Sequence, residues 1–143
     1  MILVDANILI YAFDADSPQH VSARRWLDGR LNDTARVALP WPSLLAFLRI
    51  VTNPRVMQRP ASMEIARPQV RTWLASPAAW TSQPGERHGE ILDAILAVPG
   101  VHGNLVMDAH LAALAIEHGL QVHSTDSDFA RFPGLRWINP LIV

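Results

Sequence analysis

Short apolar segments that predict β-strands alternate along the chain with longer segments that predict α-helices, and this alternation limits the fold more than any other feature. The predicted strands are residues 1–4, 37–39, 79–81, 120–123 and 135–138. The predicted helices are residues 6–13, 18–31, 40–52, 62–74, 86–97 and 104–118. The alternation is typical of an α/β sandwich, in which helices flank a short and mainly parallel sheet. Ligands of such sheets bind at the carboxyl ends of the strands.

Individual residues mark the ends of several predicted helices. Asp5, Ser62 and Asn104 each precede a helix and are residue types that cap helix amino termini. Gly119 is expected to end the helix 104–118, because glycine readily adopts the left-handed backbone found there.

Length and composition indicate an ordinary globular protein. The chain has 143 residues, half of them hydrophobic, and is predicted to form a single domain over residues 1–143. It contains no cysteine, which excludes disulfides and thiolate metal sites and fits a reducing compartment. The start, MILVDANILI, lacks the basic segment of a secretory signal, and no apolar run is long enough to cross a membrane. We therefore expect a cytoplasmic protein.

The charge of the chain neither indicates nor excludes a nucleic-acid partner. The net charge is −1, and all 12 basic residues are arginine. Arginine suits phosphate recognition, but a GC-rich genome produces the same bias, so the arginines permit RNA binding without indicating it.

Three aspartates are expected to meet at one edge of the predicted sheet. Asp5 directly follows the first strand, and Asp126 follows the strand 120–123. Asp108 lies about one turn inside the helix 104–118, which a tight turn joins to the strand 120–123. The helix therefore runs antiparallel to that strand, and its amino end lies at the carboxyl end of the strand. The three carboxylates therefore converge, although 120 residues separate Asp5 from Asp126.

A divalent cation would explain this convergence. Asp108 shares a helix face with the apolar Leu111, Ala112 and Ala115, and a buried carboxylate is costly unless it is paired or binds a metal. Taken singly, the three aspartates have ordinary explanations as a helix cap, a residue favoured by the helix dipole and a turn residue. Together they form an oxygen-rich site suited to Mg²⁺ or Mn²⁺ and to phosphodiester hydrolysis.

Five sequence motifs, spread over nearly the whole chain, resemble those of PIN-domain nucleases and of the VapC-like toxins in particular. Each motif is weakly specific, whereas their order and spacing together are more specific. The motifs are VDANIL at 4–9, LAFLR followed by TNPRV at 45–49 and 52–56, NLVMDAHLAALA at 104–115, STDSDF at 124–129, and FPGLRW at 132–137.

This resemblance implies a fold and an activity. The fold is a PIN-like three-layer sandwich with a short, mainly parallel sheet flanked by helices. The activity is Mg²⁺-dependent endoribonuclease cleavage of RNA. It agrees with the Mg²⁺ or Mn²⁺ site inferred above from Asp5, Asp108 and Asp126, which would be the catalytic metal ligands. The resemblance also implies a homodimer and inhibition by a cognate antitoxin protein.

The chain departs from the family pattern at one ligand. The family usually carries a glutamate in the helix after the second strand, and the motif alignment puts Phe47 at that position. Two residues are candidates to assist the metal site through a water molecule: Asp128, and Ser43, which lies one helical turn before Phe47. Glu90 and Asp93 are weaker candidates, since both are readily explained as exposed residues of a helix.

Accessory roles are open for four further residues. Asn7 either orients a carboxylate or the scissile phosphate, or is an ordinary first-turn residue. Asp128 either supports the metal ligands or caps the turn that follows it. Arg49 and Arg55 are candidates for contact with RNA phosphate, although either is readily explained as a surface or packing arginine.

Two other readings compete with a metal nuclease. Phosphotransfer enzymes also carry an aspartate after the first strand, but they need a second aspartate two residues on or a late lysine. Here position 7 is Asn, and lysine is absent. The other reading is a degenerate PIN module that binds RNA or a partner protein without cleavage. The sequence identifies neither the target RNA nor the antitoxin.

Overall fold

The computed structural model describes residues 1–142, and within them the predicted alternation of strands and helices is confirmed. The strands are β1 (Ile2–Val4), β2 (Val37–Ala38), β3 (Ala79–Trp80), β4 (Gln121–His123) and β5 (Trp137–Ile138). The helices are α1 (Ala6–Phe13), α2 (His20–Leu31), α3 (Trp41–Val51), α4 (Met63–Leu74), α5 (His88–Leu96) and α6 (Leu105–His118), with a short 3-10 helix at Ser127–Arg131. None of these helices combines the length and apolar character needed to cross a bilayer.

The five strands form one sheet in the order β3-β2-β1-β4-β5, and every pairing is parallel. At the centre, Leu3 of β1 lies opposite Ala38 of β2 and Val122 of β4. Because all strands run in one direction, their carboxyl ends lie at the same edge, where ligands of parallel sheets bind.

The two faces of the sheet bury two separate hydrophobic cores. Side chains of a strand alternate between faces, so Ile2 and Val4 pack with residues of α1–α4, whereas Leu3 packs with residues of α5 and α6. The sheet is thus the middle layer of three, which confirms the predicted sandwich.

The ends of the helices agree with the predicted caps in part. Asp5 accepts the Ala6 backbone N–H at 2.7 Å, and Gly119 ends α6 with a φ of 68°. The side chains of Ser62 and Asn104 make no capping hydrogen bond, so the prediction that they cap α4 and α6 in this way is wrong.

Helix α5 begins at His88, two residues later than predicted, because a distant side chain holds the preceding turn. The Glu117 carboxylate of α6 accepts the backbone N–H groups of Gly85 at 2.8 Å and Arg87 at 3.0 Å. The approach is so close that a Cβ added at Gly85 would lie 2.5 Å from Glu117 Oε2.

Candidate metal centre

Asp5 lies where β1 ends and α1 begins, and both of its carboxylate oxygens are held. Its Oδ1 accepts the Ala6 N–H at 2.7 Å, and its Oδ2 accepts the Ser124 hydroxyl at 2.8 Å. Its own backbone N–H donates to the carbonyl of His123 in β4 at 3.1 Å. The neighbouring strands β1 and β4 thus fix this carboxylate at the carboxyl edge of the sheet.

Ser124 is buried, and its hydroxyl makes three hydrogen bonds to residues of the site, although the sequence predicted no role for it. In addition to donating to Asp5, its Oγ accepts the Asn7 side-chain N–H and the Asp126 backbone N–H, each at 3.0 Å. Asn7 also accepts the Thr125 backbone N–H at 3.4 Å. Asn7 therefore contacts both Ser124 and Thr125, the two residues between β4 and Asp126. The sequence signal for Ser124 is its place between the end of β4 and Asp126.

Three carboxylates group most tightly, and Asp128 is one of them. Asp108, Asp126 and Asp128 each present an oxygen within 4.8 Å of the others. The side chain of Asp126 accepts the Asp128 backbone N–H at 2.9 Å and so caps the 3-10 helix that carries Asp128. Asp5 is outside this 4.8 Å group, but its charge acts on Asp108. The structure thus places Asp128 among the acids themselves, whereas the sequence predicted only a supporting role for it.

Burial makes two of the carboxylates, Asp5 and Asp108, costly to ionise, and the neighbouring acids add to this cost. Burial, followed by the charges of Asp5, Asp126 and Asp128, raises the pKa of Asp108 to about 7. Burial also raises the pKa of Asp5, against the lowering effect of the hydrogen bonds from Ser124 and Ala6. A divalent cation would favour the ionised form of each carboxylate.

A cavity of about 620 Å³ opens beside Asp5 and Asp108, between α3 and the first turns of α6. Ser43, Ala46 and Arg49, spaced three residues apart on α3, line its opposite wall. The Oγ of Ser43 is buried and has no hydrogen-bond partner within residues 1–142. Such a hydroxyl costs about 1–3 kcal/mol unless something pairs with it. An all-oxygen set of donors beside an unpaired hydroxyl fits a hard cation with bound water.

Phe47 does not lie at the cavity, contrary to the motif alignment. It is completely buried in the core, with its ring 5.3 Å from that of Phe13 and 4.9 Å from that of Trp73. The adjacent Ala46 lines the cavity instead. Because one residue turns a helix by about 100°, the position that faces the acids without a carboxylate is 46, and assigning it to position 47 was wrong.

The remaining candidates separate by location. Arg49 lines the cavity. Arg55 is exposed in the turn after α3, where its backbone N–H donates to Asn53. Glu90 lines a different pocket, and the exposed Asp93 does not belong to the acidic group.

Comparison with known proteins decides the family. The family described as PIN domain matches residues 2–135. The chain belongs to the PIN-domain family. Within this family it is similar to Ribonuclease VapC37 of Mycobacterium tuberculosis, with 48% identity over 98% of this chain and 97% of that protein. It is also similar to Ribonuclease VapC33 of the same organism, with 40% identity over 99% of each chain.

Solved structures share the PIN fold at low sequence identity. VapBC2 from Rickettsia felis, bound to a DNA fragment from its promoter, matches with a TM-score of 0.67 and 18% identity, over 97% of this chain and 98% of that one. VapC20 of Mycobacterium tuberculosis, a toxin that cleaves the sarcin-ricin loop, matches with a TM-score of 0.68 and 17% identity, over 95% of this chain and 99% of that one. At such identities the likeness shows the fold alone.

Proposed function

We propose that the chain, as one PIN domain over residues 1–143, is a metal-dependent endoribonuclease that hydrolyses RNA phosphodiester bonds. It acts as the toxin of a toxin–antitoxin pair. The observation that carries the proposal is the cluster of Asp108, Asp126 and Asp128 beside Asp5. Relatives named ribonucleases over nearly the full length of the chain support it.

The proposed metal ligands are Asp5, Asp108 and Asp126, and the closeness of Asp128 makes it a fourth candidate. Carboxylate oxygens select Mg²⁺ or Mn²⁺ over softer metals. When bound, such a cation activates a water molecule and stabilises the charge that develops on the scissile phosphate.

The neighbouring polar residues keep the proposed ligands in place. Ser124 and the Ala6 N–H hold the two oxygens of Asp5, so this carboxylate has little freedom to turn. Asn7 supports Ser124 from the first turn of α1, and Ser124 in turn fixes the backbone of Asp126. Ligands fixed before metal and substrate arrive need no reorganisation during the reaction.

The cavity suggests how RNA is held. Arg49 is the arginine on its α3 wall and is the proposed contact for a phosphate next to the scissile one. Arg55 lies farther along, in the exposed turn after α3, and is proposed as a peripheral contact. The exposed Leu45 and Met107 add apolar surface on either side of the cavity, against which bases can pack.

Two protein partners are proposed, both in the cytoplasm. One is a cognate antitoxin that inhibits cleavage; the likeness of the fold to VapBC2 supports this partner. The other is a second copy of the chain, which forms a homodimer. Sedimentation at micromolar concentration and physiological salt tests the homodimer, and a monomer under those conditions would refute it.

A cleavage assay tests the activity. The purified protein is incubated with labelled hairpin RNA and with total bacterial RNA, in Mg²⁺, in Mn²⁺ and in EDTA, alongside an Asp126→Asn preparation purified in the same way. Cleavage is expected only for the wild type with metal. Equal cleavage in EDTA would exclude a metal mechanism. No cleavage of any RNA by a folded, metal-binding protein would favour a PIN module that binds without cutting.

A further inference from the structure

Ser43 is a buried polar residue at the acidic site whose hydroxyl is not used by the fold. It lies in the first turn of α3, and its side chain is 1% exposed. Its Oγ has no hydrogen-bond partner within residues 1–142, yet Ser43 lines the same cavity as Asp5 and Asp108. Buried hydroxyls in native proteins are usually paired, and because Ser43 lines a cavity, a bound water is an available partner for its Oγ.

The wall of α3 explains what is needed at this point. Ser43 and Ala46 are three residues apart and therefore lie on the same face of the helix. Ala46 presents only a methyl group to the cavity, so the α3 side of the site supplies no carboxylate. Arg49, the next residue on this face, is positively charged and would repel a cation.

We propose that the Ser43 Oγ positions a water molecule of the divalent cation's shell on the α3 side of the site, in the place that a carboxylate from position 46 would reach. The proposal rests on the metal site of the proposed function and adds to it the group that completes it. Mg²⁺ keeps several of its waters in protein sites, and a water held by a side chain binds nearly as well as a direct partner.

If Ser43 has this role, replacing it should change stability and metal affinity in a way that replacing a purely structural serine would not. Ser43→Ala removes an unpaired hydroxyl, so the metal-free protein should be at least as stable as the wild type. The same change removes the hydrogen bond to the water, so the Kd for Mn²⁺ should rise about three- to tenfold. Stability and metal affinity thus move in opposite directions.

Ser82 provides a matched control. It is also buried, at 3% exposure, and its Oγ is also unpaired within residues 1–142. It does not line the cavity that Asp5 and Asp108 line. Ser82→Ala should therefore share any gain in stability and leave the Kd for Mn²⁺ unchanged.

The experiment titrates Mn²⁺ alone into the full chain by calorimetry, with melting temperatures measured in EDTA. The experiment compares five proteins: the wild type, Ser43→Ala, Ser82→Ala, Ala46→Glu and the double variant Ser43→Ala/Ala46→Glu. Ala46→Glu should bind Mn²⁺ more tightly than the wild type. Adding Ser43→Ala to it should cost little, because the new carboxylate displaces the water.

The outcomes separate this inference from the proposed function. A wild type that binds no Mn²⁺ would overturn the metal site itself. A wild type that binds Mn²⁺ while Ser43→Ala binds it equally well would overturn the role of Ser43 alone. A Ser43→Ala effect of the same size with and without Ala46→Glu would overturn the placement of the water at position 46.

Discussion

Helix α6 carries two carboxylates whose surroundings shift their pKa values in opposite directions. The contrast distinguishes a carboxylate of the candidate site from one that stabilises the fold. Near its amino end, Asp108 faces three other acids and receives no hydrogen bond within residues 1–142, and its pKa is raised to about 7. Near its carboxyl end, Glu117 accepts two backbone N–H groups, chiefly that of Gly85, and its pKa is lowered. The fold satisfies the charge of Glu117, whereas that of Asp108 has no partner among residues 1–142.

The largest effect is expected from removing the unsatisfied charge. Asp108→Asn should lower RNA cleavage about a thousandfold or more, because a metal ligand is lost. The fold should survive, since a repelled carboxylate is removed. Cleavage rates in saturating Mn²⁺ and melting temperatures in EDTA measure both, with the exposed Asp93→Asn of α5 as the control. Wild-type cleavage by Asp108→Asn would contradict the comparison.

A carboxylate that neither a cation nor a backbone N–H group can reach should destabilise the fold more than Asp108 or Glu117 does. Phe47 is completely buried between the rings of Phe13 and Trp73. Phe47→Glu should therefore lower the free energy of unfolding by about 3 kcal/mol or more and gain nothing from Mn²⁺. Phe47→Leu should lose less. Denaturant unfolding with and without Mn²⁺ decides, and stabilisation of Phe47→Glu by metal beyond that of the wild type would return position 47 to the site.

Neutralising the satisfied charge should affect stability alone. Glu117→Gln weakens the acceptor of the Gly85 and Arg87 N–H groups, so the melting temperature should fall by a few degrees. Cleavage per folded molecule should not change, because Glu117 lies outside the cavity. Glu90→Gln, at an exposed position of α5, is the control. A selective loss of cleavage without a change in melting temperature would break the distinction between the two carboxylates.

The contrast between the two carboxylates also predicts a difference in pH dependence without metal. Asp108 keeps its proton to about pH 7 in the folded protein, whereas the unfolded chain releases it near the ordinary pKa of 3.8. The folded state therefore binds more protons between these values, so Asp108 makes stability fall as pH rises from about 4 to about 7.

The part of this fall that comes from Asp108 should be absent in Asp108→Asn, whereas the part that comes from the raised pKa of Asp5 should remain. Burial lowers the pKa of His123 to about 4, which makes stability fall as pH drops through the acid range. That contribution is common to both proteins, so the difference between their unfolding free energies in EDTA isolates Asp108. Parallel curves from pH 4 to pH 7 would contradict the raised pKa.

The sequence predicted the parts of the site that follow from topology. Asp5 and Asp126 follow parallel strands, and Asp108 lies in the first turn of α6, which leads into β4, so the order of elements was enough to predict their shared edge. The closeness of Asp128 and the bonds of Ser124 depend on how the chain turns after β4, which spacing does not determine.

Other features depended on angles or on distant contacts. Choosing between Ala46 and Phe47 required the rotation of α3, which a weak motif leaves uncertain by a residue. The start of α5 depended on Glu117, a residue 32 positions beyond Gly85. The sequence around Gly85 does not reveal a contact with a residue so far along the chain.

The hydrogen bond between Ser124 and Asp5 joins positions 119 residues apart in the chain. During synthesis at roughly 5–20 residues per second, roughly 6 to 24 seconds pass between the addition of the two residues. Throughout that interval β1 has no β4 to pair with, and Asp5 lacks the partners that fix it. A nascent or prematurely terminated chain that ends before β4 therefore cannot assemble the site. The order of translation delays cleavage until nearly the whole domain has been made.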